Sequence, residues 1–190
     1  TLRNAFKIKD IRKRIIFTFL MLIVIRIGSQ LPIPGVDSEV FASWFASQTA
    51  DGMGFFDAIT GGSFYNMSVF ALSITPYITS SIIMQLLTIA IPKLEEMQRD
   101  GEEGRKKIAE ITRYLTVALA LIEAIAMSVG LRRGGYLEST SGVSGVLCLI
   151  TVILTLTAGS AVLMWIGERI TEKGVGNGIS IVLVINIISR

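Results

Sequence analysis

The sequence predicts an all-α polytopic membrane protein with four complete transmembrane helices and the start of a fifth. Low charge, long uninterrupted apolar blocks and the placement of the basic residues predict it. Of 190 residues, 51% are apolar and only 17% charged, with a mean hydropathy of +0.62. A soluble domain carries about 25% charged residues. The segments 67–91 and 143–167 hold no charged residue, 114–131 holds only Glu123, and 15–31 holds only Arg26. About 20 residues of helix cross a bilayer core. Four such blocks exclude a disordered chain, a collagen and a secreted disulfide scaffold. Cys148 is the single cysteine and cannot form an internal disulfide. The absence of histidine removes Ser-His nucleophiles and His-ligated zinc or haem, so no catalytic group, metal site or cofactor is expected.

Charge gives the expected sidedness. Residues 1–14 hold six lysines and arginines, 92–113 six, and 168–178 two, whereas 32–66 holds none and 132–142 only Arg132 and Arg133. Cytoplasmic loops of membrane proteins are enriched in Lys and Arg. The N-terminus is therefore expected to be cytoplasmic, with the helices alternating from there.

Residues 1–14 read as a basic, weakly amphipathic helix suited to an anionic membrane surface. The first span is 15–31. The Leu31-Pro32-Ile33-Pro34-Gly35-Val36-Asp37 run after it lacks a small-x-small cleavage site, so it reads as retained rather than as a signal peptide. Arg26 lies near its outer end, where it can snorkel to the interface or act within the membrane. The outer loop, 32–66, opens with a rigid turn and has a short surface helix expected at 38–48. It closes with a glycine-bounded, aromatic segment at about 54–66, which suits a short movable helix or an ordinary loop.

The second span, 67–91, combines Pro76 with Ser73, Thr75, Tyr77, Thr79, Ser80, Ser81, Gln85 and Thr88. Proline at mid-helix invites a kink. So many polar groups need partners in other helices or in a water-filled cavity. Ile74, Ile78 and Ile82 repeat at i, i+4, i+8 on one face. Core packing explains such a stripe, and so does a hydrophobic constriction. The cytoplasmic loop 92–113 holds six basic and six acidic residues, with Gly101 and Gly104 placed for a turn. The third span, 114–131, contains Glu123, a carboxylate with no basic partner in the middle of any span. A short outer loop, 132–142, leads to the fourth span, 143–167. The loop 168–178 ends in Gly174-Val175-Gly176-Asn177-Gly178. This lacks the Lys-Ser/Thr of a phosphate loop and reads as a tight turn into a fifth helix. The apolar run 179–188 would cover about 15 Å, half a membrane. It is expected either to be re-entrant or to continue beyond Arg190, and the whole reads as a piece of a longer protein.

Four motifs, in order across nearly the whole chain, carry a resemblance. They are Arg26-Ile27-Gly28-Ser29 with Pro32-Ile33-Pro34-Gly35; Phe70-Ala71-Leu72, Ile74, Pro76-Tyr77-Ile78, Ser81-Ile82-Ile83 and Gln85-Leu86-Leu87; Gly101-Glu102, Gly104-Arg105 and Lys107 with Thr112-Arg113-Tyr114; and Met164-Trp165, Gly167-Glu168, Ile170-Thr171-Glu172, Gly174 and Gly176-Asn177-Gly178-Ile179-Ser180. The chain resembles the bacterial SecY family of protein-translocation channels. The resemblance implies one half of a pseudo-symmetric ten-helix clam shell around an hourglass pore. Ile74, Ile78 and Leu183 would then belong to the pore ring. Phe55, Phe56, Ile59, Gly61 and Gly62 would form the plug. Ser81, Gln85 and Thr116 would lie along the lateral gate through which signal sequences reach lipid. It also implies SecE and SecG subunits, a SecA ATPase or ribosome as driver, secretory polypeptides as cargo, no nucleic-acid readout, and a place in the bacterial inner membrane. Thr75 and Glu123 depart from the family pattern, where an apolar residue and a glutamine are familiar. Half of a secondary transporter with inverted repeats is the alternative, for which Glu123 would be essential. A membrane enzyme is disfavoured by the lack of histidine and of paired intramembrane carboxylates.

Overall fold

The computed structural model describes residues 8–48, 53–138 and 142–188. Among these the regular structure is helical, with only two isolated β-bridges, Pro32 with Ser68 and Val36 with Leu137. The helices are α1 (Lys9–Gly28), α2 (Ser38–Gln48), α3 (Met53–Thr60), α4 (Thr75–Ala90), α5 (Pro92–Arg99), α6 (Glu102–Gly134), α7 (Gly142–Lys173) and α8 (Gly178–Ile188).

Apolar length sets the two longest elements. α6 and α7 are each long and apolar enough to cross a membrane, and α4 with α5 qualifies as a third, bent by 102° at the break before Pro92. α6 and α7 pack side by side, and Arg113 near the start of α6 meets Glu168 near the end of α7, so they run antiparallel. Small residues are buried along both helices: Ala120, Ala124 and Ser128 on α6, and Gly145, Gly159 and Ser160 on α7. Small residues let helix backbones approach where apolar burial alone gives no driving force.

Several element boundaries differ from the sequence expectation. The basic N-terminal segment and the first span are one helix from Lys9 onward, and residues 1–7 of that segment lie outside the described residues. The second span is helical only from Thr75; residues 69–74 are turns, with Met67 at φ 44° and Ser73 at φ 54°. Pro76 therefore opens the helix instead of kinking its middle. At a helix start its missing N–H costs nothing and its fixed φ is already helical. Gly101 ends the α5–α6 turn as expected, but Gly104 sits inside α6. A Cβ there would fall 1.6 Å from the Met97 carbonyl oxygen, so glycine lets α5 fold back on α6. α7 extends through Lys173, which shortens the following loop to four residues, 174–177.

That loop is a tight turn. Thr18 accepts a hydrogen bond from the Val175 N–H, Thr171 one from Gly178, and Asn177 Oδ1 those of Ile179 and Ser180. These N–H groups are occupied by side chains, so they cannot cradle a phosphate. The geometry also starts α8, since an Asn at the N-cap satisfies donors that a helix leaves open.

Two apolar clusters form the interior. One joins Ile33, Val36, Phe41 and Phe45 of the loop and α2 to Met67, Ala71, Leu72, Ala124, Leu131, Leu137, Val152 and Leu156. Aromatic edges reinforce it: Phe41 meets Trp44, Phe64 and Tyr136, and Phe45 meets Phe64 and Tyr65. The other cluster joins Ile25, Phe70, Ile74, Leu163, Ile166, Ile170 and Val182.

Candidate functional site

The second cluster contains the ring candidates. Ile74, the residue before α4, is only 1% exposed, while Ile78 on α4 and Leu183 on α8 are half-buried against the same cluster. The three predicted residues thus pack on one cluster although more than 100 positions separate Leu183 from the two isoleucines. Ile82, the third residue of the stripe, is 52% exposed, so the stripe passes from the interior to the surface along α4. Gly159 makes this arrangement fit. A Cβ there would stand 2.0 Å from the Val69 carbonyl oxygen, so α7 admits the non-helical chain leading to Ile74 only as glycine.

The plug candidates lie on and after α3, which packs on α8. Phe55 is 74% exposed, Ile59 is half-buried and Phe56 lies in the same helix. Gly61 and Gly62 follow directly, at φ 66° and 79°. This is left-handed backbone that glycine adopts without strain. Gly61 is also pressed against α8, since an added Cβ would lie 3.0 Å from Asn186 Cα. Asp57 is 4% exposed, and its Oδ1 accepts the Tyr65 N–H at 2.9 Å. It closes residues 57–65 into a compact loop. An acid followed by glycines at short range was the available signal for that closure.

The gate candidates separate. Thr116 is buried in the α4–α6 contact, where its hydroxyl meets that of Ser80. Ser81 is half-buried and Gln85 exposed on the neighbouring face of α4. Ser80 appeared in the sequence only as one of many polar groups. Its signal was the buried register Pro76, Ser80, Met84, Thr88, spaced by four.

At the far end of α6 and α7, Tyr77, Arg113, Trp165, Glu168, Arg169 and Ile179 line a cavity of ≈ 660 Å³. Arg113 Nε donates to Glu168 Oε1 at 2.8 Å, and Arg169 lies 5.6 Å from the centre of the Trp165 ring. The hydrogen bond to Glu168 raises the Arg113 pKa above its ordinary value. Among the described residues, no group of three or more acids and cysteines is placed to hold a metal ion.

Residues 68–190 match the sequence model of SecY. The chain belongs to the SecY family. It is 46% identical to the protein translocase subunit SecY of Thermotoga maritima, across 99% of this chain and 45% of the relative. It is 48% identical to that of Bacillus subtilis, across 100% of this chain and 43% of the relative. The chain thus spans less than half the length of these relatives. Two solved structures share its fold, each covering 92% of this chain and 36% of the other: Sec61 in the canine ribosome-channel complex from the endoplasmic reticulum, with a TM-score of 0.61, and a protein conducting channel, with 0.60. Both are 20% identical to it. As a SecY family member with these apolar helices, the chain is part of an all-α, multi-pass membrane protein.

Proposed function

We propose that the chain supplies one half of a protein-conducting channel subunit, which passes secretory polypeptides across the membrane and releases signal or transmembrane segments sideways into lipid. The observation that carries this reading is the shared cluster of Ile74, Ile78 and Leu183 beside a short glycine-hinged helix, in a chain of the SecY family. An aliphatic ring forms no fixed hydrogen bonds with a passing polypeptide, so it accommodates any side chain, and it limits ion flow by dewetting. α3 with Gly61 and Gly62 acts as the plug. Ser81, Gln85 and Thr116 act along the lateral gate. The work is mechanical and needs no covalent chemistry, so the chain is not itself an enzyme. SecE and SecG complete the membrane complex, and a SecA ATPase or a ribosome drives transport. The excess of lysine and arginine at 1–14, 92–113 and 168–178 supports a cytoplasmic N-terminus in a bacterial inner membrane. The names of the relatives and structural neighbours favour the channel over the transporter half.

The test is site-specific crosslinking. A photo-crosslinker at Ile78 of the full-length protein should capture a secretory precursor stalled in transit, and capture should vanish when the signal sequence is removed. No capture at Ile78, while probes in the outer loop still react, would reduce the stripe to ordinary helix packing.

A further inference from the structure

Arg26 is the only charge in the apolar block 15–31. It stands in the last turn of α1, where a cation is favoured by the helix dipole whatever else it does. Its guanidinium does more than that. Arg26 Nη1 donates to the carbonyl oxygen of Gly61 at 3.3 Å, across 35 residues of sequence. Gly61 is the first residue after α3 and has the positive φ that turns the chain out of that helix. Its other side rests on α8, against the Cα and carbonyl oxygen of Asn186. Asn186 is itself 4% exposed, and its Nδ2 donates to Ser73 Oγ at 3.4 Å. Ser73 precedes Ile74 and has a positive φ of its own.

The geometry points to Arg26 as a positioning residue that latches the hinge of α3. Together with Asn186 it forms a chain of contacts, two hydrogen bonds joined by close packing, from α1 through Gly61 and α8 to the chain entering α4. This inference rests on the reading of α3 as the plug. A backbone carbonyl at a glycine turn has no helical donor. Away from water, a charged donor aimed at it is stronger than a neutral one. Gly61 is held from one side by that donor and from the other by close packing, so α3 is fixed at its C-terminal end. The same Asn186 that touches Gly61 also bonds the residue before Ile74. Displacement of the hinge is therefore felt at the ring, through two discrete contacts rather than a general softness.

The experiment compares five channels in proteoliposomes: the full-length complex unaltered, with Arg26→Gln, with residues 55–64 deleted, with both changes, and with Gly61→Ala. Ion leak is normalised to the amount of inserted complex, and export of a precursor lacking its signal sequence is followed beside it. Arg26→Gln should raise the leak of the resting channel roughly tenfold, the scale set by loss of one hydrogen bond to a charged group. In the channel without residues 55–64 the same substitution should add nothing. Gly61→Ala, whose new Cβ would press on Asn186 at a strained φ, should reproduce the effect without touching the charge. If the deletion leaks but Arg26→Gln and Gly61→Ala do not, the latch is overturned and the plug stands. If Arg26→Gln raises the leak equally with and without residues 55–64, Arg26 acts elsewhere and the latch is again overturned. If the deletion itself causes no leak, the plug reading fails and the latch fails with it.

Discussion

The hydroxyls of Ser80 and Thr116 meet inside the α4–α6 contact, and each also has a carbonyl of its own helix within reach, Tyr77 for Ser80 and Thr112 for Thr116. A hydroxyl has one proton. One of the two must therefore donate across the helix pair while the other bonds back. The pair can exchange these roles, and it can part without leaving either proton stranded, because each can fall back on its own helix. A double-mutant cycle of Ser80→Ala and Thr116→Val, read by unfolding of the full-length complex in detergent, should give a coupling of about 0.5–1.5 kcal/mol, the range for hydrogen bonds between membrane helices. Strict additivity would mean that the hydroxyls do not interact.

Ile78→Asn places an amide at the edge of the proposed apolar ring. Leaving such a group without a partner in a dry site costs about 1–3 kcal/mol, so the closed state should lose roughly tenfold in population relative to hydrated states. Single-channel conductance and export of precursors with defective signal sequences should both rise. An unchanged leak and unchanged signal dependence would remove Ile78 from the ring.

Gly178 opens α8 against Gly167. A Cβ at Gly178 would stand 2.0 Å from the Gly167 carbonyl oxygen, whereas one at Gly130 would meet nothing within 4 Å. Gly178→Ala should therefore destabilise the protein by about 1–3 kcal/mol through overpacking, and Gly130→Ala should not, since alanine favours a helix interior over glycine. Thermal midpoints of the two variants in detergent give the comparison. An equal shift for both would show that the α7–α8 turn is looser than its geometry implies.

Glu123 is half-buried in α6. A solute-coupled transporter would need its carboxylate, whereas an aliphatic channel would not. Glu123→Gln keeps the volume and hydrogen-bonding capacity and removes the charge. Export rate in cells depleted of the native protein should be unchanged. Loss of export would demand a role for the carboxylate that the ring mechanism does not supply.

The helical class, the order of the elements and the surface helix at 38–48 were legible because they depend on local composition. Apolar blocks are long enough to be helices whatever they pack against, and Pro32-Ile33-Pro34-Gly35 turns the chain by its own stereochemistry. The ring candidates were legible as residue types at helical spacing. Other boundaries were not. Pro76 is compatible with both a kinked and an initiating position, and only the structure, in which residues 69–74 are turns with Val69 packed on Gly159, shows it initiating. Gly61 and Gly62 announced a turn, but not the side chain that holds it.

The sequence by itself thus determined the helical class, its apolar blocks and the places where glycine or proline interrupts them. Tertiary structure decided which polar groups find one another. Arg26 and Gly61 are 35 residues apart, Ser80 and Thr116 are 36, and Ser73 and Asn186 are 113. No local pattern encodes such pairs. In an apolar interior each polar group must be satisfied within the protein, and the partner it takes depends on how whole helices pack.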